Sequence, residues 1–321
     1  MELSAIYELV QEDLDKVEDR LRSLSQVDFP HLSELLNYSL KSSGKRIRPV
    51  LTLLSAKFYD YNLDYLLPMA TAVEVMHTAT LVHDDAVDNS LVRRGKPTVY
   101  KLWGVEEAVL LGDYLFAEAG ALTAATNNLR VIKRFTDTLK TISSGELSQA
   151  FYAFNLEQSH QQYLQRVSQK TAALFSMATE SGAVLSQAPE ESIQILIEYG
   201  HNLGIAFQIV DDILDFIGTE EELGKPVGSD LAQGTLTLPA ILLLEYYPRD
   251  NPIRRFFSNR DEPDNIKRAI ELVRDSPIIK ECYQVASDYG AKACRNLKLL
   301  PDNVSRQSLI QLADYLLRRK R

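Results

Sequence analysis

The chain has 321 residues, 45% hydrophobic and 25% charged, a composition that gives a sizeable core and excludes a disordered chain. Its formal net charge of −9 makes it a poor general partner for nucleic acid, whose phosphates are neutralised by Lys and Arg. The two cysteines, Cys282 and Cys294, have no CxxC spacing and no neighbouring His. Neither a zinc site nor a disulfide framework is indicated, and reduced structural thiols in a cytoplasmic protein are expected.

In chain order, Ile6, Leu9, Val10, Leu14, Val17, Leu21 and Leu24 recur at helical spacing. This acidic start lacks the basic end and apolar run of a signal peptide. Similar patterns predict helices over 66–87, 105–126, 131–154, 164–185, 193–217, 236–246, 266–274, 278–297 and 305–317. No segment alternates with period two over a convincing length. Breakers separate the patterns at Pro30, Gly44, Pro49, Pro68, Gly95-Lys96-Pro97, Pro189, Gly224-Lys225-Pro226 and Pro301. No fixed-period repeat or low-complexity linker is present, so one all-α domain over 1–321 is favoured. No segment reaches the ~18 uncharged apolar residues of a membrane span, so no transmembrane segment is expected. The basic tail, Arg318-Arg319-Lys320-Arg321, reads as a solvated helix end favoured by the dipole, with an anionic membrane surface as the alternative.

Two acidic clusters carry the chemistry. Asp84-Asp85-Ala86-Val87-Asp88 closes an apolar helix over 69–82, and Asp211-Asp212-Ile213-Leu214-Asp215 closes another over 203–210. The first and last aspartates of each stand four apart, on one helix face. Like charges crowded on an apolar helix call for a cation, and carboxylates suit hard divalent ions such as magnesium, which also takes phosphate oxygens. Basic groups flank both clusters. Lys45 and Arg48 lie in Gly44-Lys45-Arg46-Ile47-Arg48-Pro49 at a loop-to-helix junction. Arg93 and Arg94 follow the first cluster, and Lys225 follows the second. Singly, each basic loop could be a solvated turn. Around two acidic walls they make diphosphate binding the better account.

The ordered set Gly44-Lys-Arg-Ile-Arg-Pro, Asp84-Asp-x-x-Asp88, Arg93-Arg-Gly, Gly145-Glu-x-x-Gln149, Lys170-Thr171, Phe207-Gln208-x-x-Asp211-Asp-x-x-Asp215 and Gly224-Lys-Pro-x-Gly228-x-Asp-Leu231 resembles the trans-polyprenyl diphosphate synthases. The resemblance spans roughly residues 44–240 and rests on seven motifs in order. It implies a large helical bundle around a deep central cavity, usually a homodimer. Asp84 and Asp88 would hold two magnesium ions and Asp211 a third, with Asp85, Asp212 and Asp215 in the same acidic set. Arg93 and Lys225 would hold the allylic diphosphate, which is dimethylallyl, geranyl, farnesyl or geranylgeranyl. Lys45, Arg48, His77 and Arg94 would hold isopentenyl diphosphate, with a core histidine as the alternative for His77. Lys170, Thr171 and Gln208 would hold the diphosphate and place oxygen dipoles near the developing cation. Relatives often carry Lys where this chain has Thr235, which puts the contact from that loop in doubt and leaves Lys225 alone there.

The resemblance also implies that product length is set below the first cluster. Thr80, Ala79 and Met76 would line that path, with Ala79 about 7.5 Å and Met76 about 12 Å below Asp84 along the helix. No bulky aromatic stands at the first of these layers, so a product of hexaprenyl to decaprenyl class is expected. Phe135 is the candidate floor with Met76, although a buried Phe is also ordinary core. Geranylgeranyl or farnesyl synthesis, a terpene cyclase, or a silent subunit of a heteromeric synthase are the alternatives.

Overall fold

Short polar side chains and prolines set the starts of the helices in a computed structural model that describes residues 3–41, 44–224 and 226–319, the side chains of 222 and 223 excepted. Helices α1 (Leu3–Tyr7) and α2 (Gln11–Ser23) are joined by a single 3-10 turn. Pro30 opens α3 (Pro30–Leu40), where its fixed φ suits a first turn. Helix α4 (Ile47–Ala56) follows the first basic loop. Asn62 caps α5 (Leu63–Val87) by accepting from the Asp64 N–H. That cap starts the helix three residues earlier than the hydrophobic pattern does and leaves Pro68 inside it.

Two short strands, β1 (Val92–Arg93) and β2 (Lys96–Pro97), form a hairpin that the sequence pattern does not announce. Thr98 caps α6 (Val99–Trp103), and α7 (Val105–Ala124) follows. Asn128 caps α8 (Leu129–Phe151). A Ser159–Gln162 capping box opens α9 (His160–Val167). The expected helix over 164–185 is continuous and carries a π turn, Ser168–Ala172, between α9 and α10 (Ala173–Leu185). Then come α11 (Glu190–Ile217), α12 (Glu220–Leu223), α13 (Ser229–Ala232) and α14 (Leu238–Tyr246). The chain ends on α15 (Pro252–Ser258), α16 (Asp264–Arg274), α17 (Ile278–Cys294) and α18 (Val304–Arg318).

The fold is all-α, as the helical periodicity requires. The apolar faces bury into two cores. One joins α2, α4, α5, α7, α8 and α10, and the other joins α9, α14, α16 and α17. Helix α11 runs through both. Leu196, Tyr199 and Leu203 pack in the first core, and Ile209, Ile213 and Phe216 in the second. Among the described residues no helix is long and apolar enough to cross a membrane. Cys282 is buried, Cys294 is half-buried, and neither is in a disulfide.

Candidate active site

His77, Thr80, Leu81 and Asp84 on α5, with its C-cap Asp88, are partly exposed and spaced as one helical stripe, while Met76, Ala79 and Val82 are buried behind it. Asp84 and Asp88 therefore share the open face. Burial and the neighbouring Glu146 push the Asp84 carboxyl up to about 7, against the pull of Lys170 and Arg93. Burial also raises Asp88. Asp85 turns the other way: it is buried, and its Oδ1 accepts from Arg93 Nε at 2.8 Å.

The same ion pair anchors the hairpin beside α5. Arg94 (φ +51°) and Gly95 (φ +74°) are its two turn residues, the left-handed pair of a type I′ turn. This turn receives the loop that follows the second acidic cluster. A Cβ on Gly224 would lie 2.5 Å from the Gly95 nitrogen and 2.7 Å from Arg94 Cα, so only glycine fits there. Two loops, 130 residues apart in sequence between Arg94 and Gly224, thus meet. Lys225 itself lies outside the described residues.

Between the two acidic helix ends sits the π turn. Lys170 Nζ donates to Gln149 Oε1 at 2.9 Å and pairs with Glu146 Oε1 at 2.7 Å, both on α8. Gly145 makes this possible. A Cβ there would stand 2.9 Å from Gln169 Cβ and 3.2 Å from Lys170 Cγ. The Gly145-Glu-x-x-Gln149 motif is thus a groove and a two-point grip for one ammonium. π turns recur at functional sites because they redirect a side chain without ending the helix.

The next residue ties the turn to α11. Thr171 Oγ1 donates to Gln208 Oε1 at 2.6 Å, and Gln208 Nε2 donates to Asp212 Oδ1 at 2.8 Å. Tyr163 OH donates to the other Asp212 oxygen at 2.6 Å. Asp212 is 3% exposed, and burial pushes it up to about 7. It is an internal anchor of the chain Thr171–Gln208–Asp212–Tyr163, not an open carboxylate. Asp215 is buried as well, accepting from Ser229 Oγ at 3.0 Å and from the Asp230 N–H at 3.3 Å. It holds the turn after the cluster.

Asp211 alone of its cluster is open, and it pairs with Arg319 Nη2 at 2.8 Å. Arg319 also donates to the Phe207 carbonyl and stacks 3.8 Å from the Phe207 ring centroid. The tail expected to be solvated instead folds back at Arg319, which is 9% exposed. Lys320 and Arg321 lie outside the described residues.

The first basic loop supplies a cationic pocket. Arg48 lies 4.8 Å from the Phe175 ring centroid, and its buried Nε has no hydrogen-bond partner among the described residues. Burial, with Arg94 and Arg319 nearby, pushes Arg48 down to about 10. Burial and Arg48, Arg94, Arg93 and Arg46 hold His77 well below its usual value, so its imidazole is neutral at pH 7. Its side chain is half-buried on the same stripe of α5 as Asp84. Lys45 Nζ lies 5.7 Å from the Tyr315 ring centroid.

Residues 29–273 match the family model described as polyprenyl synthetase. The chain belongs to that family. It is 36% identical over 320 residues to heptaprenyl diphosphate synthase component 2 of Bacillus subtilis (strain 168), covering 100% of this chain and 92% of that one. It is 38% identical over 324 residues to the chloroplastic solanesyl-diphosphate synthase 2 of Oryza sativa subsp. japonica, covering 99% and 80%. The crystal structure of polyprenyl synthase from Caulobacter crescentus CB15, complexed with calcium and isoprenyl diphosphate, superposes with a TM-score of 0.96 at 35% identity, covering 100% of this chain and 98% of that one. A polyprenyl synthetase of this kind is a prenyltransferase, and the terpene cyclase reading falls away.

Several members of the site are not evident from sequence. Glu146 and Gln149 are visible as a motif but not as a grip on Lys170. Tyr163 carries no local signal. Arg319 stands in a charge run that usually means solvation. The chain-length candidates divide: Thr80 lies on the open stripe, whereas Met76 and Ala79 are buried behind it. Phe135 is buried, with its Cε1 3.7 Å from where a Cβ on Gly120 would be.

Proposed function

We propose that this prenyltransferase joins isopentenyl diphosphate to an allylic diphosphate and releases a linear polyprenyl diphosphate longer than geranylgeranyl. The observation that carries the reading is the convergence on Lys170, Thr171 and Gln208. Asp84 and Asp88 act electrostatically on Lys170 from one side, Asp211 lies near the other helix end, and Arg48 lies over Phe175, whose ring packs on Phe207 beside Gln208.

The open carboxylates fit magnesium: they offer oxygen only, and burial together with the neighbouring Glu146 holds Asp84 up near 7, a cost that a bound cation would offset. Magnesium ordinarily keeps water and takes phosphate oxygens beside one or two carboxylates. Asp84, Asp88 and Asp211 would hold the metal, which when bound supplies positive charge to the departing diphosphate. Asp85, Asp212 and Asp215 act behind them by fixing Arg93, Gln208 and the 228–230 turn.

Arg93 and Lys170 bind the allylic diphosphate, and Lys225 is proposed to join them. Lys45, Arg48, His77 and Arg94 bind isopentenyl diphosphate. The allylic carbon–oxygen bond ionises. The isopentenyl double bond attacks the resulting carbon, forming the new carbon–carbon bond. A proton then passes to the released diphosphate. Thr171 and Gln208 set their oxygen dipoles beside the developing positive carbon.

Two cores joined through α11 support one domain, and the exposed apolar stripe Val105, Val109 and Leu110 on α7 supports a homodimer. The word "component" in one relative's name raises a two-chain enzyme. The full acidic and basic set in this chain argues that it carries the site itself.

Isopentenyl incorporation by the purified chain, compared with Asp84→Ala and Asp211→Ala, tests the reading. Each variant should fold and lose activity by on the order of 10³-fold or more. Near-wild-type turnover in a folded Asp84→Ala protein would overturn it.

A further inference from the structure

The first basic loop holds three cations, and they do not share a task. Lys45 and Arg48 belong to the pocket described above. Arg46 lies between them, and its side chain goes elsewhere. Its backbone is left-handed, with φ +48°, a conformation that L side chains rarely adopt and that persists where surrounding contacts over-determine it.

Those contacts are all present. Arg46 is 8% exposed. Its Nη1 donates to Glu74 Oε1 at 2.7 Å, its Nη2 to the Leu40 carbonyl at 3.3 Å, and its Nε and Nη2 to the Glu18 carboxylate. The fork therefore spans three elements: α2 through Glu18, the end of α3 through Leu40, and α5 through Glu74. Tyr7 OH pins the same loop one residue earlier, donating to the Lys45 carbonyl at 2.7 Å.

Glu74 sits at the centre of this arrangement. Its side chain is 7% exposed, and it lies one turn before His77 on α5. Arg46, Arg48 and Arg94 all feel its charge. A Cβ on Gly44 would stand 3.2 Å from Arg94 Nη1 and 3.8 Å from Glu74 Oε1, so the hairpin arginine meets the loop at this carboxylate.

We propose that Arg46, clamped on buried Glu74, is the positioning residue of the isopentenyl diphosphate subsite. It locks the left-handed turn that separates Lys45 from Arg48 and aims both at one phosphate, and Glu74 offsets the cations that gather there. This rests on the reading of Lys45 and Arg48 as that subsite. Arg46 binds no phosphate itself, because its fork is buried and taken by protein acceptors. Lysine replaces it only in part, because one ammonium cannot reach acceptors in three directions in the plane of a fork.

The test is steady-state kinetics on the full chain, varying each substrate separately, with Arg46→Met, Arg46→Lys, Glu74→Gln and Arg48→Ala. Glu74→Gln keeps shape and volume, so it decides the matter if Arg46→Met does not fold. The KM for isopentenyl diphosphate should rise about 10-fold or more in Glu74→Gln and Arg46→Met, with Arg46→Lys between them and wild type. The KM for the allylic primer and kcat at saturation should stay within about 3-fold of wild type. Equal rises in both KM values, or a lowered melting temperature with both KM values unchanged, would overturn the proposal by making the pair merely structural. If Arg48→Ala leaves the isopentenyl KM unchanged, the subsite reading fails and this proposal with it. If Arg48→Ala raises that KM and Glu74→Gln does not, the subsite stands and this proposal alone is lost.

Discussion

Replacing Gly145 with Ala sets two effects of opposite sign against each other. In a helix interior Ala is favoured over Gly by about 0.5–1 kcal/mol, and α8 is helical on both sides of this position. The new methyl, however, would lie 2.9 Å from Gln169 Cβ and 3.2 Å from Lys170 Cγ. Carbons pack at ~3.5–4.0 Å, so α8 and the π turn would have to separate by roughly 0.6 Å. The nearer atom is a Cβ, which cannot swing aside as a side-chain tip can. Such overpacking costs about 1–3 kcal/mol, which meets or exceeds the propensity gain, so Gly145→Ala should lose about 0–2.5 kcal/mol. Function should suffer more than stability. The grip on Lys170 works through contacts of 2.7 and 2.9 Å that a displaced turn cannot keep. A shift of this size at a charged group should lower kcat by about 10–100-fold. Gly120→Ala is the internal control, since its Cβ would meet only Phe135 at 3.7 Å, an ordinary contact. Thermal melting of both variants, with kcat for Gly145→Ala, reads the outcome. A Gly145→Ala protein that is stabilised and fully active would refute the close approach of the π turn.

The two phosphate subsites should separate kinetically: Arg48→Ala raises chiefly the KM for isopentenyl diphosphate and Arg93→Ala chiefly that for the primer, and equal effects on both would count against the assignment. Asp84 also predicts a pH signature in metal-free buffer. Its folded pKa of about 7 lies above the ordinary 3.8, so the folded state keeps a proton that the unfolded state has released. Its contribution is therefore full below about pH 4 and is lost as pH rises towards 7, so the melting temperature of Asp84→Asn relative to wild type should climb from pH 5 to 8. A constant difference would show that the carboxyl is not raised. Product length should respond first to the open stripe of α5: Thr80→Tyr shortens the product, and unchanged length would show that the chain does not pass that face. Ala79→Tyr should shorten it less cleanly, because a ring there must first displace packed side chains, so its melting temperature should fall with product length, and an unaltered melting temperature would argue for open space at Ala79.

What the sequence makes legible is what repeats locally. Helical periodicity places α5 and α11, and the i, i+4 aspartates mark the open face of α5 at Asp84 and Asp88. One step along a helix turns about 100°, which is why Asp85 and Asp212 face inward although they read as part of the same clusters. The same geometry explains the chain-length candidates. Thr80, four residues before Asp84, returns to its face, while Ala79, five before, is roughly 140° away and buried. Contacts between distant segments leave no such trace. Nothing in Gly224 or Gly95 says that they touch, nothing in the basic tail says that Arg319 seats on Asp211, and nothing near Tyr163 points to Asp212. The hairpin at Arg94-Gly95 escapes the period-two search because each strand has two residues. The ordered motifs compensate for part of this, since they carry the family's tertiary constraints as residue identities.

The mass of the product made by the purified chain alone tests the central claim most directly. With magnesium, excess isopentenyl diphosphate and each allylic primer in turn, the account predicts a ladder of added five-carbon units ending beyond geranylgeranyl diphosphate, in the hexaprenyl to decaprenyl range. A chain that consumes primer without isopentenyl diphosphate, that turns over only when a second protein is added, or that stops at farnesyl or geranylgeranyl diphosphate would contradict it.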